Sequence, residues 1–546
     1  MSEEGATEPI TEEQSLALGS ARGRGTMLAV ILGSAIVFLD TSVVNLALPR
    51  IGEELSSDLF GTLEAQSYVA YGYFVTLSAL LILGGALTDY YGRRRMFAIG
   101  LVGFAATSLL CGMAPTMEFL IAARILQGAA GALVVPGSLS IITASFSGEE
   151  RGRAFGVWAG ASAATTIIGP LLGGVLVNTI SWRAAFLINL PFLVIALIAT
   201  LRAVPESRDE GATGRFDWLG SVVIVLAVGG LAFGTIRGQQ QGWTEPVVVV
   251  SLAVGAVALV ALPFMMLRRP DPLVPPKLFA SRNFTVTNLS TLVIYGALYV
   301  SLTFQGIYLI GVLGYNEQAA GLAGLPATLL LVFFSTRFGA LAARFGPRRF
   351  MAVGPAVMGI GLLWLMRVPA SSDPWRLGTG EGSSLIPPGD YWVDFFPAAT
   401  VFGVGLMCMV APLTTALMTS VPSSNAGIAS AINNAISRVG SPLITAVIFV
   451  AVASSFYGAI AEAVPGTDVD AASFRRDVSP LNEPAADVPS EIREASREAS
   501  TDAFHLAMLV ASSLLFAGAA INAVGIRDPA RDELMPTATS APGNPG

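Results

Sequence analysis

The chain has 546 residues, 53% hydrophobic and 13% charged, whereas soluble globular domains carry about 25% charged residues, so the composition belongs in a membrane. The formal net charge of −7, with no basic stripe outside short loops, leaves no footprint for nucleic acid. The single lysine, Lys277, follows Pro276, which excludes a Gly-Lys-Ser/Thr phosphate loop and ATP hydrolysis through one; one histidine, His505, and two cysteines, Cys111 and Cys408, exclude bis-histidine haem, iron–sulfur clusters and Cys/His zinc sites. No cofactor, metal or enzymatic activity is expected.

Residues 1–24 form a polar, acidic tail with Arg22 and Arg24 at its end. At about 20 apolar residues per span, spans are expected near 27–48, 66–88, 96–114, 118–142, 154–178, 184–203, 217–236, 246–267, 285–312, 320–343, 350–367, 395–419, 426–455 and 502–526. That is fourteen. Arginine and lysine number nineteen in the segments on the side of the termini and nine on the other, which predicts that both termini are cytoplasmic. The outer loops 368–394 and 456–501 are rich in Pro, Gly, Ser and acidic residues and read as solvated, partly disordered caps. A second tail covers 527–546.

The costly residues come next. Asp40 lies deep in the first span, where a charge costs on the order of 2.5 to 3.5 kcal/mol and marks an ion or substrate path; a neutral Asp in a helix–helix hydrogen bond is the competing reading. Its own helix offers Val37, Val43, Val44 and Ala47 on its face, so any partner comes from elsewhere. Arg124 in span 4 lies at a similar depth, and Gln127 shares its face. Pairing of Asp40 with Arg124 is one expectation, and separate hydration in a central cavity is the other. The spans hold no further mid-membrane carboxylate, which makes Asp40 the candidate proton site with Arg124 as its modulator. One carboxylate suits competition between a proton and one cationic group.

An internal repeat is visible: Gly85-Ala-Leu-Thr-Asp89-Tyr-Tyr-Gly92-Arg93-Arg94-Arg95 and Gly339-Ala-Leu-Ala-Ala343-Arg-Phe-Gly346-Pro-Arg348-Arg349 align at an offset of 254 residues. Eight spans separate the copies, as two six-helix bundles give when a helix pair is inserted between them. The division expected is a bundle over 25–203, a linker with spans 7 and 8 over 204–284, and a bundle over 285–526.

The repeat loop, Arg124-Ile-Leu-Gln127-Gly128, and Gly156, Gly160, Gly169-Pro170, Gly173 and Gly174 in span 5 resemble the signature motifs of the major facilitator superfamily. Leu39–Pro49, Ser181–Pro191 and Asp217–Gly220 are similar to its fourteen-helix drug:proton antiporter branch, over nearly the whole chain. The resemblance implies an all-α integral membrane fold of two six-helix bundles plus an inserted pair. The function it implies is export of amphipathic or hydrophobic small molecules, such as drugs or antibiotics, in exchange for protons by alternating access, by a monomer in contact with membrane lipid. Export of an endogenous lipid or secondary metabolite, or a non-transporting sensor, are the alternatives. It further implies a conformational latch at Gly85, Asp89, Gly92 and Arg93, against a plain topology-setting basic loop, and an antiporter-type dry seam at the span 5 glycines, against ordinary close packing. Ala343 stands where Asp89 does in the first copy, so the latch role extends to the first half alone. Candidate cavity residues are Tyr73, the position the resemblance favours, with Gln127, Asn288, Tyr295, Tyr299, Gln305, Asn434 and Arg438; an interfacial anchor is the competing reading for Tyr73, and interhelical packing for the second-half residues.

Overall fold

The computed structural model describes residues 15–55, 62–208, 216–377, 386–485 and 487–528; most of both expected tails, and residues 378–385 of the first outer loop, lie outside them. The described residues form nineteen α-helices. In the first half these are α1 (Ala21–Glu54), α2 (Thr62–Tyr91), α3 (Arg93–Gly112), α4 (Met117–Ser145), α5 (Gly148–Thr179), α6 (Ala184–Leu187) and α7 (Asn189–Ala203). A hairpin follows, α8 (Trp218–Gln241) and α9 (Pro246–Arg268), then α10 (Lys277–Ala280). The second half holds α11 (Arg282–Gly311), α12 (Glu317–Ala323), α13 (Leu325–Phe345), α14 (Arg348–Leu365), α15 (Gly389–Asp394), α16 (Phe396–Thr419), α17 (Ala426–Ala463), α18 (Ala472–Asp477) and α19 (Ser490–Gly525).

Among the described residues, thirteen helical stretches are long and apolar enough to cross a membrane. The remaining expected span is α5, a helix of 32 residues in which several side chains lie outside the described residues, Pro170 and Gly174 among them. The chain is an all-α, multi-pass membrane protein. Two expected spans, 184–203 and 320–343, are each split in two, a third break falls at the start of the span expected at 395–419, and each break precedes a proline that has no N–H to continue the ladder. The breaks fall at Ile188 before Pro191, Gly324 before Pro326 and Phe395 before Pro397. Helix starts are capped by short polar side chains: Ser20 accepts from the Gly23 N–H at 2.9 Å, Thr116 from Phe119 at 3.2 Å and Asp217 from Gly220 at 2.8 Å.

The first and last described residues reach one face, here termed the terminal face. The Leu16 N–H donates to Ser145 O at 2.8 Å, and the Arg348 N–H donates to the Asp528 carboxylate at 3.1 Å. On the opposite face, Trp182 Nε1 and Arg183 Nη1 both donate to Glu54 Oε2, at 2.8 and 2.9 Å, clamping the end of α1. The α8–α9 hairpin packs along α2, its turn closed by a bidentate Arg237–Glu245 pair at 2.7 and 2.8 Å. The outer loop 456–501 departs from the composition-based expectation. It is largely helical, in the extensions of α17 and α19 and in α18, and is tied down by Tyr457 donating to Val478 O at 3.2 Å and the Leu481 N–H donating to Ser500 Oγ at 3.1 Å.

The two halves meet mainly along two antiparallel pairs, α2 with α17 and α5 with α13.

Candidate functional site

Asp40 sits inside the first half at 0% exposure, enclosed by α1, α3, α4 and α7. Its Oδ2 accepts from Arg124 Nη1 at 2.5 Å, and its Oδ1 accepts from Gln127 Nε2 at 3.1 Å and Asn189 Nδ2 at 3.0 Å. Arg124, 1% exposed, also donates Nη1 to Gln127 Oε1 at 2.7 Å and Nε to the Val69 carbonyl at 3.1 Å, with its guanidinium carbon 4.2 Å from the Tyr73 ring centroid. Tyr73 is fully buried and donates to Val37 O at 3.0 Å. Ser108 Oγ joins the network, accepting from Gln127 at 2.9 Å and Asn189 at 3.1 Å. A desolvated ion pair persists when its remaining donors and acceptors are met, and nearly all are met here. The exception is Asn189 Oδ1, which is buried and has no partner.

The pair expected from depth alone is thus formed, and Tyr73 and Gln127 belong to its shell rather than to an open cavity. Asn189 and Ser108 were not anticipated. Asn189 stands in the Ser181–Pro191 stretch, and an amide beside a proline in an apolar run was the available signal.

At the terminal face, Asp89 reaches into the second half. Its Oδ1 accepts from the Gly427 N–H at 3.1 Å and its Oδ2 from the Ile428 N–H at 2.9 Å, at the start of α17, where helix donors lack intrahelical partners. Ser140 Oγ donates to it at 3.2 Å and Arg93 at 3.3 Å, and Arg93 also donates to the Ser423 carbonyl across the junction. Gly85 lies against Gly427, where an added Cβ would come 2.6 Å from Ala431 Cβ. Gly92, with φ 108°, turns the chain into α3 in a conformation that side chains resist. Arg94 turns to its own half, donating its backbone N–H to Glu206 Oε1 at 3.1 Å and Nη2 to Leu201 O at 2.7 Å.

The second repeat copy reproduces this frame. Gly346 has φ 86°, the Arg348 N–H meets Asp528 at 3.1 Å, and Gly339 lies against Gly152 on α5. With Ala343 in place of the carboxylate, that crossing has no charge.

The α5 glycines divide between two neighbours. Gly156 and Gly160 face α13: Ser335 Oγ donates to Gly156 O at 2.7 Å, and a Cβ on Gly160 would meet Val332 O at 3.0 Å. Gly169 and Gly173 face α1, against Ser42 at 2.6 Å and Val43 Cα at 3.2 Å from an added Cβ. Gly174 and Pro170 lie in the helix, and their side chains are outside the described residues.

Of the second-half candidates, Asn288 is buried and accepts from Asn433 Nδ2 at 3.1 Å, which ties α11 to α17. Tyr295 and Gln305 are half-buried, and Tyr299 is 44% exposed. Asn434 is half-buried and donates back to Ser430 O at 3.0 Å, while Arg438 lies 5.3 Å over the Phe74 ring of α2.

The family model described as Major Facilitator Superfamily matches residues 30–445. The multidrug resistance protein Stp of Mycobacterium tuberculosis is 32% identical over 419 residues, covering 77% of this chain and 74% of that protein. The tetracenomycin C resistance and export protein of Streptomyces glaucescens is 30% identical over 456 residues, covering 83% and 80%. The solved proton:xylose symporter XylE shares the fold, with TM-score 0.55 at 13% identity over 91% of this chain and 94% of that one.

Proposed function

The chain belongs to the Major Facilitator Superfamily of membrane transporters, and within it we propose that this protein is an exporter that exchanges amphipathic or hydrophobic small molecules, drugs or antibiotics among them, for protons. The observation that carries the reading is the sealed Asp40–Arg124 pair with Gln127 and Asn189 around it. Its resemblance to a multidrug resistance protein and to an antibiotic resistance and export protein supports the cargo class. The protein is read as a plasma-membrane monomer with the terminal face cytoplasmic, divided at 203/204 and 284/285.

Asp40 is the proton carrier in this reading. When it takes a proton, Arg124 loses an anion but keeps Gln127 Oε1, the Val69 carbonyl and the Tyr73 face, so no bare cation is stranded. Asn189 completes the site: rotation of its amide offers the unpartnered Oδ1 to the new carboxyl proton. Inward movement of each proton supplies about 2.3 kcal/mol per 100 mV. Asp89 and Arg93 hold the terminal face closed, and the α5–α13 contacts exclude water beside them. Opening of that face requires both to part.

The test is exchange in everted membrane vesicles carrying a lumenal pH dye, with wild type and Asp40→Asn, on addition of tetracenomycin C or ethidium. Substrate-driven proton release in wild type and none in the variant is expected. Equal release in the variant removes Asp40 from the coupling role, and substrate accumulation without proton movement in either protein refutes exchange.

A further inference from the structure

Arg438 stands twelve residues into α17, roughly 18 Å from the terminal face at 1.5 Å per residue. It is half-buried, and among the described residues no carboxylate lies within ion-pair distance and its guanidinium donates no hydrogen bond; its guanidinium carbon lies 5.3 Å from the Phe74 ring centroid. The contrast with Arg124 is direct, since that arginine has a carboxylate, an amide oxygen and a carbonyl. A guanidinium at membrane depth with no acceptor is costly, and the position implies an acceptor that arrives from outside the chain.

Its place in the fold says from where. The α2–α17 junction is antiparallel and runs from Gly85 against Gly427 to Phe74 against Arg438, eleven residues along each helix. Between these two points the helices run side by side, and Arg438 stands at the end away from the terminal face. Beyond it, where Gly296 of α11 rests on Ile444 of α17, Tyr299 lies one turn further on the same face and is 44% exposed. Asp40, by contrast, is sealed, and each of its contacts is internal. The accessible charge at mid-depth is therefore positive, with aromatic rings beside it.

We propose that Arg438, backed by Phe74, is the recognition point for an anionic oxygen group, a carboxylate, phenolate or enolate, on an amphipathic aromatic substrate, so that the preferred cargo is an organic anion. This rests on the export reading and sharpens it: the sequence alone pointed to a cationic group at Asp40, and the structure closes that site. Export of an anion against entry of a proton moves two elementary charges in the same sense, whereas exchange of a monocation for one proton moves none.

The test uses the full chain in phosphatidylcholine nanodiscs, titrated with 1-pyrenebutyrate and with its uncharged methyl ester, for wild type, Arg438→Gln and Arg438→Lys. Wild type is expected to bind the carboxylate about tenfold more tightly than the ester, the scale of one charge-assisted hydrogen bond. Arg438→Gln removes that preference by weakening the carboxylate alone, and unchanged ester binding shows that the variant is folded; Arg438→Lys retains most of the preference. Equal binding of both probes by wild type, or a preference that survives Arg438→Gln, overturns the proposal. So does displacement of pyrenebutyrate by added phosphatidylglycerol, which assigns the site to a lipid head group. In everted vesicles, transport of the ester but not of pyrenebutyrate overturns the anion proposal and leaves export standing, while movement of neither, with no response to tetracenomycin C, counts against both.

Discussion

Replacement of Asp89 by Asn tests whether one carboxylate holds the terminal face shut. The side chain takes two backbone N–H groups at the start of α17, at 3.1 and 2.9 Å. A charged acceptor makes each such bond about 1 kcal/mol stronger than a neutral one, and attraction to the helix terminus adds up to about 1 kcal/mol at a partly buried site. The loss is about 2 to 3 kcal/mol, or roughly thirty- to a hundredfold in the balance between closed and open. Arg93, 3% exposed, loses its anion at the same time and keeps only the Ser423 carbonyl, which pushes in the same direction. The readout is the labelling rate of Ser430→Cys, a fully buried and nearly isosteric position near the start of α17. The background has Cys111 and Cys408 replaced, and an impermeant maleimide is applied from the terminal face of everted vesicles. A rise of at least about tenfold in Asp89→Asn is expected on this arithmetic. An unchanged rate would show that the junction is held by packing alone and would sink the latch.

Two further outcomes follow from contact geometry. Asn189→Ala should reduce substrate-driven proton release about tenfold, the scale of one hydrogen bond to a charged group, while membrane yield is unaffected; unaltered release would remove Asn189 from the site. Gly156→Ala places a methyl against Thr336 backbone and 2.6 Å from Ser335 O, whereas Gly173→Ala meets Leu46 Cδ1 at 3.1 Å and Val43 Cα at 3.2 Å. Transport of tetracenomycin C should therefore fall to background in Gly156→Ala and stay within a few-fold of wild type in Gly173→Ala, while a bulky residue at Gly173 abolishes it with expression still measurable. The reverse order would refute the assignment of Gly156 to the contact between halves.

Asp40 and Arg124 were legible because each is costly in an apolar span, and their equal depth follows from counting residues along two helices. The offset between Gly85 and Gly339 was legible for a similar reason, since a repeat survives without any knowledge of contacts. What faces what was not. The same small-residue spacing sends Gly156 to α13 and Gly173 to α1, and a helical period carries no information on which neighbour fills each groove. Asn189 escaped because a neutral amide costs little by sequence criteria, and its role depends on an orphaned oxygen that only coordinates reveal. Arg337, in α13, was passed over; it is exposed, over the Phe334 ring at 5.4 Å. The prolines at 191 and 326 signalled breaks that a count of apolar residues overlooks. The outer loop 456–501 looked unstructured by composition, yet its apolar residues Val478 and Leu481 are buried in the second-half core.

The two repeat copies place equivalent glycines at equivalent crossings, but only one crossing carries a carboxylate. Gly85 and Asp89 meet α17 by charge as well as by packing, whereas Gly339 and Ala343 meet α5 through uncharged contacts, backbone and methyl, beside the Ser335–Gly156 hydrogen bond. A junction held by charge can be released by a single neutralisation, and one held by uncharged contacts is indifferent to it. In the proposed reading, neutralising Asp89 therefore unfastens one seam of the terminal face and leaves the other to set how readily the two halves part.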